Sequence, residues 1–320
     1  MSQADIRQVS ADPDGAVEDL RSLGDVVRYA CTRFQATRIA FGQGTANAEE
    51  EAAWLVSWAL HLAPDAAQTH THARLTRRER AQIVSLIERR CQERLPLAYL
   101  TGEAWLRGRR FACDARALIP RSLIAEALEE SLPDWLGTLD LPEGWPRTVL
   151  DLCTGGGSLA VMAAQCFETA RVTAADLSAS ALELAAKNVA EYGLDERIEL
   201  ARGDLFAAIG SERFDLVVCN PPYVNAGSMS ALPPEFLAEP QAALAGGVDG
   251  MDLIRRILRD AGEHLNPGGQ LLLEIGHEAS HFENAFAGLR CVYLPVTAGD
   301  EMLVLISREQ LADAAQALLR

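Results

Sequence analysis

The tetrapeptide Asn220-Pro221-Pro222-Tyr223 directly follows the apolar run Phe214-Asp215-Leu216-Val217-Val218-Cys219. Such a run reads as a buried strand, and the loop leaving it is stiff, because two prolines fix φ and remove two backbone donors. Nearby carbonyls are left exposed as acceptors. The Asn220 side-chain oxygen and the Pro221 carbonyl can each take one N–H of a planar amide or amino group. Held so, the nitrogen lone pair turns towards an electrophile, while Tyr223 can pack against the planar group. Catalysis would then be mostly positioning, an effect worth roughly 7–11 kcal/mol. No general base is needed, since the proton can leave once the nitrogen is cationic. Asn-Pro-Pro is also simply a good way to leave a strand, so its setting must decide.

The setting is a second motif. Val149-Leu150-Asp151-Leu152-Cys153-Thr154-Gly155-Gly156-Gly157 is an apolar strand entering a glycine-rich turn at a helix start. Glycines let the backbone approach a ligand closely. Dinucleotides use such turns to seat a pyrophosphate on a helix N-terminus. Here Asp151 would repel a pyrophosphate but suits the ammonium of a methionyl group. Asp176 closes the next strand and can accept hydrogen bonds from two ribose hydroxyls, a feature common to both cofactor classes. Asp204, in Gly203-Asp204-Leu205-Phe206 after the third strand, can accept from the exocyclic amine of adenine. Three acids at the ends of successive strands point to S-adenosylmethionine, whose sulfonium methyl is the electrophile the loop requires.

The elements around these motifs alternate. Strands are expected at 148–153, 171–176, 197–200 and 214–220, with helices at 158–166 and from Ser178 to about Tyr192. A helix at 253–265 ends at Asn266-Pro267-Gly268-Gly269, and three more strands cover 270–275, 291–294 and 302–307. This pattern predicts an α/β fold, a parallel sheet covered by helices on both faces, with the last two strands paired antiparallel. Residues 15–100 instead show helical periodicity: Trp54, Leu55, Trp58 and Leu62 share one face, and Ile83, Val84, Ile87 and Cys91 another. Thr76 with Glu79 makes a capping box and Pro96 a terminator, while Phe41-Gly42-Gln43-Gly44-Thr45 is a glycine-broken turn. Residues 103–120 read as a hairpin linking the two regions. A helix at 123–132 and a Pro-, Gly- and Trp-containing surface connection at 133–146 follow.

Composition bounds the setting. The 320 residues carry 29 basic and 45 acidic side chains, a net charge of −16. Nucleic-acid binding draws on Lys and Arg to neutralise phosphates, so a nucleic-acid substrate is disfavoured and a basic protein partner suits. Seven widely spaced cysteines without a Cys-x-x-Cys pair fit reduced thiols. No apolar run is long enough to span a bilayer. The start, Met1-Ser2-Gln3-Ala4-Asp5, lacks the pattern of a secretion leader. A cytoplasmic protein without membrane attachment is expected. His277-Glu278-Ala279-Ser280-His281 matches His-Glu-x-x-His, but it follows a strand end and is set aside, with no metal expected. Arg107, Arg109 and Arg110 form the one compact basic cluster, on the hairpin.

The glycine turn, the loop at 220–223 and the terminal strand pair resemble class I methyltransferases acting on nitrogen. Within these, Ile119-Pro120-Arg121-Ser122, Glu239-Pro240 and Ala245-Gly246-Gly247-Val248-Asp249-Gly250 resemble the protein-glutamine N(5)-methyltransferases, over nearly the whole chain. The resemblance implies a Rossmann-like, mostly parallel seven-stranded sheet with an antiparallel last strand. It also implies an N-terminal helical substrate-recognition domain (1–102), a linking hairpin (103–120) and a catalytic domain (121–320). S-adenosylmethionine would be the donor and S-adenosylhomocysteine the product. Asp151, Thr154, Gly155, Gly157, Asp176, Asp204, Leu205 and Asn220 match the cofactor site, and Asn220, Pro221, Pro222 and Tyr223 the glutamine-binding loop. Arg121, Glu126 and Glu239 lie in matching stretches, as entrance or substrate residues or as structural supports.

That family has a branch acting on release factors and one acting on large-subunit (50S) ribosomal protein L-three. The pieces Arg33-Phe34, Phe41 through Asn47, Glu49-Glu50-Glu51-Ala52, Arg94 through Thr101 and Gly299-Asp300 through Leu311 resemble the second. Gly156 and Ser158 depart from the Gly-Ser-Gly-Cys expected in the turn. The expected activity is methylation of a glutamine side-chain amide in that ribosomal protein. A release factor, an exocyclic amine of a nucleic acid, and an assembly factor that only binds the cofactor stay open.

Overall fold

The computed structural model describes residues 12–64 and 66–318; the leader reading at residues 1–5 lies outside them. The chain divides into two compact units, one running up to Glu103 and including Pro233–Ala238, the other comprising Ala104–Leu232 and Glu239 onward.

The first unit is helical. Ser22 and Asp25 cap the helix Leu23–Ala36 reciprocally, Asn47 caps Ala48–Ala59, and Thr76 with Glu79 caps Arg77–Glu93 as the spacing predicts. The last helix stops earlier than Pro96. Arg94 takes a left-handed φ of 55°, and Pro96 opens a further short helix, Leu97–Thr101. Val26, Phe34, Leu55, Ile83 and Ile87 are fully buried between these helices, whereas Leu62 lies beyond its helix and is exposed. Charges are buried here too: Arg33 pairs with Glu88 at 2.7 Å and Arg90 with Glu51 at 2.6 Å, and buried Glu235 takes the half-buried Arg94 at 2.8 Å. Removing one member of such a pair leaves the other charge desolvated, which fixes the pairing more than it adds stability.

A hairpin follows, β1 (Glu103–Leu106) and β2 (Arg109–Ala112), turned at Arg107 and Gly108 with φ of 49° and 74°. Two positive φ values match the twist of a two-residue hairpin turn. The main sheet holds β3 (Thr148–Leu152), β4 (Arg171–Asp176), β5 (Ile198–Arg202), β6 (Phe214–Cys219), β7 (Leu265–Glu274), β8 (Val292–Tyr293) and β9 (Leu303–Ser307), in the order β5-β4-β3-β6-β7-β9-β8. All neighbours are parallel except β9, which runs antiparallel to β7 and β8. Alternate strand residues feed opposite faces. Val149, Val172, Val218 and Leu272 join a core with the helices Ile124–Glu129 and Ser158–Cys166. Leu150, Val217, Leu271 and Leu273 join another with Ile254, Ile257 and Leu258 of the helix Asp252–Ala261. Each such side chain contributes about 1.5–3 kcal/mol of burial. This is the class I methyltransferase fold.

Several boundaries differ from expectation. The helix expected at 253–265 ends at Ala261, where Gly262 follows, and β7 starts at Leu265 with an irregular register opposite Phe214 and Leu216. The helix expected at 123–132 breaks at Glu130 into Ile124–Glu129 and Ser131–Leu136. Pro133 sits in the first turn of the second, where its missing N–H costs nothing. All seven cysteines are free thiols, and no helix among the described residues is long and apolar enough to cross a membrane.

Candidate active site

The strand order reverses between β4-β3 and β3-β6, and open α/β sheets place ligands outside the carboxyl ends at such a switch point. A cavity of about 410 Å³ lies there, walled by Cys153, Thr154 and Gly155 after β3, Asp176 and Leu177 after β4, and Asp204 and Leu205 after β5. Asn220 and Pro222 after β6 and Ile119, Pro120 and Arg121 complete the walls the site uses.

Local backbone explains the turn. Gly155 and Gly157 have φ of 56° and 79°, and a Cβ on Gly157 would stand 3.0 Å from that of Ala185. At Gly156 a Cβ would meet only ordinary contacts, the nearest 3.5 Å away, so the departure from the expected turn sequence is spatially neutral. Cys153 and Leu205, both on the wall, hold φ of 64° and 50°, left-handed values that non-glycine residues adopt only when the surroundings compel them. The Asn188 side chain, 1% exposed, donates to the Gly156 carbonyl at 2.8 Å and brackets Ala112 of β2 through its N–H and carbonyl. The sequence reading passed over Asn188; its one signal is a lone amide on the apolar face of the helix Ala179–Glu191.

The acids are placed unequally. Asp176 accepts from Gly155 N at 2.9 Å and Ser178 N at 2.8 Å, one on each oxygen, leaving lone pairs on a carboxylate that lines the cavity. Asp204 is on the wall too, with one oxygen held by Arg256 at 2.7 Å. Asp151 is set one layer deeper than expected. It is fully buried, outside the wall, with Thr154 Oγ1 donating to Oδ2 and Oδ1 unpartnered. Strand alternation accounts for this, since Asp151 points to the face of Val149 rather than along the strand axis. Burial, eased by the Thr154 hydroxyl, pushes its carboxyl up to about 7.

In the loop after β6, the Asn220 side chain is half-buried and has no hydrogen-bond partner among the described residues. Pro221 is buried behind the wall. The loop is clamped by the segment Ala245 to Gly250: Val224 N donates to Leu244 O, Gly246 N donates to Val224 O, both at 2.9 Å, and Val224 bridges Ala245 in parallel. A Cβ on Gly246 would stand 2.7 Å from Tyr223 Cα, and one on Gly250, at φ 82°, would collide with the Tyr223 carbonyl. Gly250→Ala is therefore expected to cost at least about 2 kcal/mol in urea unfolding and to slow catalysis, whereas Gly268→Ala should cost only about 1–2 kcal/mol. Gly268 has φ 75° but nothing within 4 Å of the added carbon. Equal costs at the two sites would remove the clamp from the account.

Arg121 lines the cavity and pairs with Glu239 at 2.7 Å; Glu239, fully buried behind it, also accepts from Ile119 N at 3.1 Å. Glu126 is elsewhere. Its two oxygens accept from Thr297 N and Oγ1 at 2.6 and 2.7 Å, so the entrance role considered for it gives way to anchoring the loop between β8 and β9. The hairpin arginines are internally neutralised: Arg107 by Glu129 and Glu130, Arg109 by Glu129, with Gln165 accepting a further hydrogen bond from it, and Arg110 by Glu191. His277 sits exposed in the turn Gly276–Glu278 and His281 in the helix Ala279–Ala285, while Glu278 bonds Asn225 and His281, so the two imidazoles do not form a helical metal pair.

A Methyltransferase small domain model matches residues 136–248 and a PrmC N-terminal domain model residues 27–102. The chain is 51% identical to the "Ribosomal protein uL3 glutamine methyltransferase" of Bordetella pertussis, covering 92% of this chain and 97% of that one. It is 46% identical to the protein so named in Burkholderia pseudomallei, over 92% and 97%. With that of Bradyrhizobium diazoefficiens identity is 49%, over 86% and 87%.

Proposed function

Because this chain belongs to the ribosomal protein uL3 glutamine methyltransferase family, we propose that it methylates the side-chain amide nitrogen, N(5), of a glutamine in large-subunit ribosomal protein uL3, using S-adenosylmethionine. The observation that carries the chemistry is the unpartnered Asn220 amide on the wall of a cavity whose opposite parts are the glycine turn and Asp176.

The cavity fits the cofactor. Asp176 has free lone pairs for two ribose hydroxyls, Asp204 and Leu205 flank the place for adenine, and Thr154, Gly155 and Gly157 shape the turn above the buried Asp151. When bound, the cofactor supplies a methyl group made electrophilic by a positively charged sulfur. Asn220 Oδ1 and the Pro221 carbonyl accept the two amide N–H bonds, and Pro222 and the strap at 245–250 keep those acceptors from turning away. Tyr223 orients the amide plane. Arg121, held by Glu239, borders the entrance. On this reading the N-terminal region, 1–102, recognises the substrate, 103–120 links it, and 121–320 is catalytic. An acidic chain of net charge −16 suits a basic protein substrate in the cytoplasm over a nucleic acid.

Incubation with tritiated S-adenosylmethionine and purified uL3, release factors or ribosomal RNA tests this. Protease-sensitive label on one uL3 glutamine is expected. Label confined to a release factor would move the chain to the sister branch, and nuclease-sensitive label would overturn the substrate class.

A further inference from the structure

We infer that Glu274, with Gly276, is a seat that fixes the orientation of Tyr223 for methyl transfer, so that Glu274 is a positioning residue for the reaction; this rests on the function proposed above. Glu274 is the last residue of β7. The Tyr223 hydroxyl donates to Glu274 Oε1 at 3.0 Å. Its ring lies over Gly276, where an added Cβ would stand 2.5 Å from Cε2. The ring thus has one place to lie and its hydroxyl one acceptor to meet.

The seat is itself rigid. Glu274 is 3% exposed, and its other oxygen accepts from Ser122 Oγ and from Leu123 N at 3.0 Å. Three donors satisfy one buried carboxylate, and a fully satisfied buried network specifies a single geometry. Burial pushes the Glu274 carboxyl up while these hydrogen bonds draw it down; the Tyr223 hydroxyl is pushed up by burial first and then by the neighbouring Glu274. Tyr223 therefore stays a neutral donor. Ser122 adjoins Arg121 on the cavity wall, so one carboxylate ties that wall to the catalytic loop. A purely structural carboxylate would serve folding and cofactor binding as much as turnover. A positioning one acts on turnover, and only while Tyr223 can answer it.

The test compares kcat, KM for uL3, cofactor Kd and melting temperature for wild type, Glu274→Gln, Tyr223→Phe and the double variant. Each single change is expected to lower kcat about 10–100-fold, the order of effect of a small misplacement of reacting groups. Cofactor Kd should stay within about threefold, and the double variant should be no slower than the slower single one, the mark of a shared path. Multiplying effects, or cofactor binding weakened as much as turnover, would overturn the seat. Tyr223→Phe removes only a hydroxyl and covers the case of an unfolded Glu274→Gln: its kcat unchanged within threefold also overturns it. Wild-type enzyme that labels no glutamine would instead sink the reaction itself.

Discussion

Asn220→Ala lowers kcat by about 10²–10³-fold, the usual cost of deleting one preorganised polar group at a reacting centre. The side chain has no partner among the described residues, so the loss is expected in turnover rather than in folding. The loop backbone is held independently, by Val224 against Leu244 and Gly246. The melting temperature should accordingly move by no more than about 2 °C, as for substitutions that leave packing intact. Cofactor affinity falls less than about tenfold, because Asn220 is one wall residue among many. Asn220→Asp keeps an acceptor but adds charge beside the positive sulfur. It should favour the bound donor over the transition state, holding cofactor while losing turnover. Steady-state kinetics at saturating uL3 with calorimetric cofactor titration separates these terms. Turnover by Asn220→Ala within tenfold of wild type would show that the amide does not hold the nucleophile.

Asp151→Asn should make the cofactor-free protein more stable at pH 8 and a poorer binder. The Asp151 carboxyl moves from 3.8 to about 7 on folding, chiefly through burial. The folded state then binds the proton more tightly than the unfolded one, so this group's contribution is most favourable below pH 4. It is lost as pH climbs towards 7 and is constant above. At 1.36 kcal/mol per pH unit the full loss is roughly 4 kcal/mol, and asparagine escapes it. A gain of several degrees in melting temperature at pH 8, vanishing near pH 4, is expected. Bound positive charge favours the ionised carboxylate, so wild-type cofactor affinity should rise between pH 6 and 8, and that rise should be absent in Asp151→Asn. The expected pair of results is stability gained and binding lost. Equal melting curves at pH 8 would show that the buried carboxylate is already compensated.

Much of this molecule is written locally. Alternating apolar strands, the capping box at Thr76 and Glu79, and the stiff loop at 220–223 depend on spacings of two to four residues, which a chain carries wherever it folds. The residues of both motifs and the antiparallel partner of the last strands could be named from such spacings and from family likeness. Depth and partnership could not. Glu274 meets Tyr223 across 51 positions and Ser122 across 152, and Asn188 reaches Ala112 across 76. No periodicity records which acid a hydroxyl will find. Asp151 looked like a ligand contact and lies beneath the turn; Glu126, which the spacing left as entrance residue or support, holds Thr297. The basic hairpin became neutral once Glu129, Glu130 and Glu191 came alongside it, and Pro233–Ala238 left the catalytic stretch of sequence for the helical unit. Side-chain type and short spacing set which elements form, because backbone geometry is local. Which polar groups are desolvated, and by whom they are satisfied, is settled only when distant segments exclude water together.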